Sequence, residues 1–208
     1  MTYPSANPRP CMRPDPTIYG PLARCTFYFV RHGATEPNER HLRCGGDLDV
    51  PLTALGREQA RAAALRMRTM ELEVGTIVCS ALMRARETAT IIGRILGIEQ
   101  IAVEPLLNER RLGQWNLLPI GETEELLARK VPPPGGESEE AFVERVSAML
   151  DRLPRFLPST PLIVSSKGIA RVLSSMTGDV HPKVANGEIV RFTIERPRLP
   201  NASETIRI

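Results

Sequence analysis

The chain predicts an α/β fold: a single three-layer domain with a mostly parallel central sheet and helices on both faces. Three observations lead there. From Thr26 onward strand-type and helix-type patterns alternate, which is the order of a parallel-containing sheet wrapped by its own crossovers. Phe27-Tyr28-Phe29-Val30 is a short apolar run, the pattern of a strand buried among helices. Hydrophobic residues make up 42% of 208 positions with no long apolar stretch, which is enough for a core and excludes a membrane span.

Each element then follows from a local signal. The first 24 residues hold Pro4, Pro8, Pro10, Pro14, Pro16 and Pro21, so neither a helix nor a central strand is expected there. We read residues 1–24 as a disordered or surface-laid arm without the apolar core of a secretory signal, and residues 25–208 as the folded domain. Thr53 is the N-cap of a helix reaching about Met70, with Leu55, Ala62 and Leu65 on one face and Arg57, Arg61 and Arg68 on another. Thr76 to Cys79 is a short strand, Leu82 to Leu96 a helix ended by Gly97, and Gln100 to Val103 another strand. Ser138 caps a helix whose stripe of Phe142, Val146, Met149, Leu150 and Leu153 runs until Pro154 stops it. Leu162 to Ser165 is a strand, Gly168 to Thr177 its following helix, and Glu188 to Glu195 a late strand. No repeat is visible.

Charge and cysteine content narrow the function. The net charge of +3 comes from 27 basic and 24 acidic residues, with only 4% aromatics; this disfavours a nucleic-acid surface. Phosphate-sized anions remain suitable ligands. Cys25 and Cys79 fall on or beside buried strands and Cys11 and Cys44 in loops, with no metal-type spacing. They read as reduced thiols of a cytoplasmic protein that uses no metal and no cofactor.

The apolar run from Phe27 stops at Arg31-His32-Gly33. Strand ends are where ligands bind in open α/β sheets, and Gly33 lets a backbone approach closely. His32 is therefore a candidate ligand-facing group; a capping histidine at the junction is the structural alternative. Basic residues recur after the Cys79-Ser80 strand end, at Arg84. A guanidinium presents a planar, permanently charged fork to phosphate oxygens, so Arg31 and Arg84 are candidate phosphate ligands, with a surface ion pair as the alternative for each.

These residues resemble the histidine phosphatase superfamily, also called phosphoglycerate mutase-like, whose signature is Arg-His-Gly at the end of the first strand. The resemblance continues through Thr35, Asn38, Arg40, Gly45, Asp47 and Pro51-Leu52-Thr53, then Gly56 and Gln59-Ala60. It returns in Ser80-Ala81-Leu82-Met83-Arg84-Ala85-Arg86-Glu87-Thr88-Ala89 and in Leu107-Asn108-Glu109 with Gly113-Gln114-Trp115. It implies that His32 attacks phosphorus to give a phosphohistidine, that Glu109 is the proton donor, and that Thr35 and Asn38 contact phosphate or substrate. Glu109 can also be read as an ion-pair partner of Arg110 and Arg111. The short link from Glu109 to the Pro132-Pro133-Pro134-Gly135-Gly136 turn favours hydrolysis over mutase chemistry, because mutases of the family carry a longer lid there.

One block departs from the family. Where it writes Ser-His-Gly-Gly-x-x-Arg, this chain has Ser165-Ser166-Lys167-Gly168-Ile169-Ala170-Arg171. The second histidine becomes Ser166, or Lys167 after a shift of one, and neither His41 nor His181 stands at that position. Trp115 is followed by Asn116-Leu117, where the family usually has Glu-Gly. The sequence thus implies a phosphatase of small phosphomonoesters with reduced or specialised activity, or an inactive relative that binds phosphorylated ligands. It leaves the oligomeric state open, a homodimer included.

Overall fold

A computed structural model of the chain describes residues 20–156, 160–178 and 183–198. Two compact units divide the chain: Thr26–Ile194 forms one, and the other includes residues 20–25 and 195–198, which are strand. Five strands, β1 (Gly20–Arg31), β2 (Thr76–Cys79), β3 (Ile101–Val103), β4 (Pro161–Ser165) and β5 (Ile189–Arg198), form one sheet in the order β3-β2-β4-β1-β5. β1 starts at Gly20 rather than near Thr26, so residues 20–24 are strand and not arm; residues 1–19 and His181 lie outside the described residues.

The first four strands are parallel. Arg31 of β1 pairs with Ser165 of β4, and Cys79 of β2 with Val164, so three neighbouring strands end at nearly one level. At β5 the direction reverses: the Arg31 amide donates to the Glu188 carbonyl (3.3 Å), while the hydroxyls of Thr26 and Thr193 meet at 3.4 Å.

Among the described residues six α-helices join the strands: α1 (Glu36–Glu39), α2 (Ala54–Thr69), α3 (Met83–Leu96), α4 (Ile120–Ala128), α5 (Glu139–Arg152) and α6 (Lys167–Thr177). Strand side chains alternate between the two faces. Val30, Ile77, Cys79, Leu162 and Val164 pack with Ala63, Ala64 and Met67 of α2 and Ala85, Ala89 and Ile92 of α3. Phe29, Val78 and Ile163 point to the opposite face, and the buried stripes of α5 and α6, including Phe142, Val146, Met149, Ile169 and Val172, complete the core there. Phe192 stacks on Phe27 at 5.5 Å and meets Phe29 edge-on at 6.1 Å.

The caps sit where the sequence places them. The Thr53 hydroxyl accepts from the Gly56 amide (3.1 Å), Ser138 Oγ from the Ala141 amide (3.1 Å), and Gly97 ends α3 at φ 72°. The face of α2 differs from the reading. Leu55 and Leu65 are 53% and 54% exposed, and the side that packs is Gly56, Ala60, Ala63, Ala64 and Met67. Close approach explains this: a Cβ on Gly56 would stand 2.1 Å from the Ala34 carbonyl oxygen, so only small residues fit between α2 and the turn after β1.

Candidate active site

Backbone geometry at the end of β1 fixes the imidazole. The His32 amide donates to the Ser165 carbonyl (2.8 Å), and the Asn186 Nδ2 donates to the His32 carbonyl (2.8 Å). The Gly33 amide donates to Thr88 Oγ1 (3.1 Å), whose hydroxyl in turn donates to the Arg84 carbonyl (2.7 Å). Thr88 thereby ties the turn after β1 to the first turns of α3.

The ring is buried, at 4% exposure. Its Nδ1 lies 2.8 Å from the Gly33 carbonyl oxygen. A carbonyl only accepts, so Nδ1 carries the proton and Nε2 keeps its lone pair. Burial, then the charges of Arg84 and Arg31, holds the imidazole well below its ordinary value, so at neutral pH it is uncharged and able to attack.

Arg84 is no surface ion pair. It is 1% exposed, and its Nη1 and Nη2 donate to the carbonyls of Leu48 (2.9 Å) and Gly45 (3.1 Å). Among the described residues it has no carboxylate partner. Arg31 is half-buried, with Nη1 on the Val184 carbonyl (2.9 Å); burial lowers its pKa from the ordinary value, and Glu109 opposes this.

Four buried polar atoms at these strand ends lack any hydrogen-bond partner: Arg31 Nε, Arg84 Nε, Thr35 Oγ1 and Ser166 Oγ. Buried donors are nearly always satisfied. A group of unsatisfied ones near the C-terminal ends of β1, β2 and β4 leaves donors that an oxyanion could engage. Ser80 Oγ, fully buried at the end of β2, is unpartnered as well.

The remaining predicted residues lie near the ends of β1 and β4. Asn38 Oδ1 accepts from the Thr35 amide (3.2 Å) and from Asn186 Nδ2 (3.3 Å). Ser166 is 1% exposed and is the N-cap of α6, while Lys167, next in sequence, is exposed at the first helical position. Glu109 is not held by Arg110 or Arg111 side chains; Arg110 pairs with Glu139 at 2.8 Å. Instead Glu109 Oε1 accepts from the Arg110 amide (2.7 Å) and Oε2 from the Gly168 amide (2.9 Å). Its carboxylate thus sits on the N-terminus of α6, where the helix dipole favours negative charge. A Cβ at Gly168 would stand 2.1 Å from Oε1, which accounts for glycine at that position.

Several contributors were not singled out from sequence. Asn186 holds the His32 carbonyl and Thr88 the Gly33 amide from distant segments; the Asn186-Gly187 pair before β5 is a turn signal, and Gly187 has φ 74°. Arg43 donates from Nε to Thr123 Oγ1 (2.6 Å) and from Nη2 to the Ile120 carbonyl (3.0 Å), which anchors α4 beside the pocket. Asn116 joins two loops, accepting from the Gly45 amide (2.7 Å) and donating to Asp47 Oδ1 (2.7 Å). Those bonds and the Leu112 and Gly113 amides hold the Asp47 carboxyl below its usual range against its partial burial. Among the described residues no cluster of three or more His, Cys, Asp or Glu could hold a metal, and no helix is long and apolar enough to cross a membrane.

A neutral imidazole on a parallel strand end, within the electrostatic reach of Arg84 and Arg31, is an arrangement suited to α/β proteins that handle tetrahedral oxyanions. Residues 27–196 match the sequence model of the histidine phosphatase superfamily (branch 1), and the chain belongs to that superfamily. A protein of Photorhabdus laumondii named as a probable phosphoglycerate mutase is 36% identical over 188 residues, covering 85% of this chain and 81% of its own length. Among solved structures, the α-ribazole phosphatase of Shigella flexneri superposes with a TM-score of 0.68 at 25% identity, over 83% of this chain and 95% of that one. A mycobacterial glucosyl-3-phosphoglycerate phosphatase, solved with VO3, does so with a TM-score of 0.70 at 25% identity, over 86% and 99%. These three relatives are named as phosphatases or mutases.

Proposed function

We propose that the chain hydrolyses small phosphomonoesters through a phosphohistidine at His32, at reduced rate. The observation that carries this reading is the free Nε2 lone pair of a neutral, immobilised imidazole beside buried donors without partners. In the first step His32 Nε2 bonds to phosphorus as the bond to the alcohol oxygen breaks; a protonated Glu109 carboxyl gives that oxygen its proton. Water then attacks phosphorus, the phosphorus–nitrogen bond breaks, and the Glu109 carboxylate receives the proton of the water. Arg31 and Arg84 match the charge on the phosphoryl oxygens, and Thr35, Asn38 and Ser166 donate to them.

Ser166 limits the rate. A neutral hydroxyl replaces the family's histidine, and loss of one preorganised donor costs about a hundred- to thousand-fold in turnover. The short connection between Glu109 and α5, one nine-residue helix, supports hydrolysis over phosphoryl return to a second substrate.

A second reading, a binding protein without turnover, is favoured by one feature: Glu109 is seated as an acceptor on two backbone amides. Hydrolysis of an aryl phosphate by the native chain, His32→Ala and Ser166→His distinguishes the two. Loss of more than about a thousandfold in His32→Ala, with a gain of about tenfold or more in Ser166→His, is expected for the phosphatase. Native and variant chains that are equally inert, while inorganic phosphate still binds, would leave the binding protein.

A further inference from the structure

Residues Gly45-Gly46-Asp47-Leu48 form a turn in which the Leu48 amide donates to the Gly45 carbonyl (3.4 Å). The carbonyls at its two ends are the ones that hold the Arg84 guanidinium, Leu48 on Nη1 and Gly45 on Nη2. Just beyond the turn, Asp49 Oδ1 accepts from the Met83 amide (2.7 Å) at the start of α3. The placement of this turn therefore decides where Arg84 Nε, buried and without a partner, is aimed.

The turn has little stiffness of its own. Two of its four residues are glycine, which leaves the backbone many conformations. Close approach explains both: a Cβ on Gly45 would stand 2.7 Å from the Leu112 amide nitrogen, and one on Gly46 2.0 Å from the Glu109 carbonyl oxygen. Restraint has to come from the neighbouring segment. The Gly46 amide donates to the Arg110 carbonyl (2.9 Å), and Asp47 accepts from the amides of Leu112 (3.1 Å, on Oδ1) and Gly113 (2.7 Å, on Oδ2). Asn116 supplies the rest. Its Oδ1 accepts from the Gly45 amide (2.7 Å), and its Nδ2 donates to Asp47 Oδ1 (2.7 Å) and to the Gly113 carbonyl (3.1 Å).

Those three partners select one side chain. A backbone amide only donates, whereas a carboxylate and a carbonyl only accept, so the residue here must offer one acceptor and two donors. A carboxamide does so in a single orientation; aspartate, its isostere, does not. Asn116 thus fixes the first and third residues of a turn whose first and fourth residues clamp Arg84.

We propose that Asn116 is a positioning residue for Arg84, acting through the turn at residues 45–48, so that the loop after Glu109 sets the pocket's grip on a phosphoryl group. The proposal rests on the reading of the inner pocket as a phosphate site. It adds to that site a residue whose own bonds are all to protein.

Inorganic phosphate is titrated calorimetrically into the full chain and into Asn116→Asp and Asn116→Ala, and the Nε–H resonance of Arg84 is followed by NMR in each. Asn116→Asp keeps the acceptor for Gly45 but sets an oxygen against Asp47 and the Gly113 carbonyl, and phosphate affinity is expected to fall about tenfold. Asn116→Ala loses the bonds without adding repulsion and is expected to bind about threefold more weakly than the native chain. In both variants the Arg84 resonance is expected to shift or broaden before any phosphate is added. A residue that only stabilised the fold would move the denaturation midpoint and neither of these. Should Asn116→Asp fail to fold, Asn116→Ala carries the same test.

Affinities within about twofold of the native one in the folded variants overturn the proposal and leave the inner site standing. A loss of affinity with the Arg84 resonance unmoved overturns it too, since Asn116 would then act by another route. A native chain that binds no phosphate removes the inner site and the proposal together.

Discussion

β1 and β4 lie side by side and end level with one another, yet their ends are held in different ways. At the end of β1 the imidazole and the backbone of the turn are tied: the His32 ring to the Gly33 carbonyl, the His32 carbonyl to Asn186, the Gly33 amide to Thr88, and the Ala34 amide to Gln59 at 2.7 Å. At the end of β4 the Ser166 hydroxyl has no partner, and a carboxylate from another segment closes over Gly168. The His32 side is preorganised and the opposite side is adaptable. Binding energy is needed to order only the latter.

The sharpest way to break that comparison uses two glycines with the same clearance. A Cβ on Gly33 would stand 2.1 Å from the Gly56 carbonyl oxygen, which is backbone; one on Gly168 would stand 2.1 Å from Glu109 Oε1, the tip of a side chain. Gly33→Ala is expected to cost about 3 kcal/mol, because α2 and the turn must separate. Gly168→Ala is expected to cost less than about 1 kcal/mol, since the carboxylate swings aside and alanine suits a helix. Its activity drops instead, because Glu109 is displaced. Denaturant midpoints of the two variants report this, and equal losses of stability would show that the β4 side is as rigid as the β1 side.

Hydroxyl deletions give the next largest contrast. Thr88→Val leaves the buried Gly33 amide without an acceptor and is expected to destabilise by about 2 kcal/mol. Ser166→Ala removes a hydroxyl that has no partner in the free protein, so its midpoint stays at or slightly above the native one. Phosphate affinity measured on Ser166→Ala is expected to fall severalfold all the same. A Ser166→Ala chain as unstable as Thr88→Val would mean that this hydroxyl is already engaged in the free protein.

Titration of His32 comes third. Above the ordinary histidine value of 6.5 both folded and unfolded chains hold a neutral ring, and the group contributes nothing to pH dependence. Below it the unfolded chain takes up a proton that burial and the two arginines deny the native ring. Stability therefore falls as pH drops from about 6.5, by up to about 1.4 kcal/mol per pH unit for this one proton. His32→Gln is expected to lose less stability than the native chain between pH 7 and pH 5. Parallel slopes would mean that the ring protonates as freely in the fold as in water.

The comparison also marks what was legible in sequence. The apolar run ending at Arg31-His32-Gly33 identified the rigid strand end because the change from apolar to polar residues is local in the chain. The caps at Thr53, Gly97 and Ser138 were legible for the same reason. The packing side of α2 was not: it is set by the contact between Gly56 and Ala34, which periodicity alone does not reveal, and Leu55 and Leu65 therefore point to solvent. Helix α4 escaped notice because its anchor, Arg43, lies some eighty residues earlier. Asn186 reaches His32, and Thr88 reaches Gly33, only through the sheet and the packing of α3. Whether Ser166 or Lys167 takes the buried position depended on where α6 begins, and the structure puts Ser166 at the cap.

The smallest expected effect tests a departure of the adaptable kind in the loop after Glu109. Leu117 stands where the family usually has glycine, and it adopts φ 64° with its side chain 51% exposed. The left-handed region costs a leucine about 1–2 kcal/mol, while glycine gives back roughly half of that through greater freedom in the unfolded chain. Its amide bond to the Arg43 carbonyl (2.9 Å) holds the conformation whatever the side chain. Leu117→Gly is therefore expected to raise stability by about 0.5–1 kcal/mol, read as a small upward shift of the denaturation midpoint. A destabilised variant would mean that the leucine side chain makes contacts in solution worth more than its backbone strain, and the loop would then belong with the rigid parts of the site.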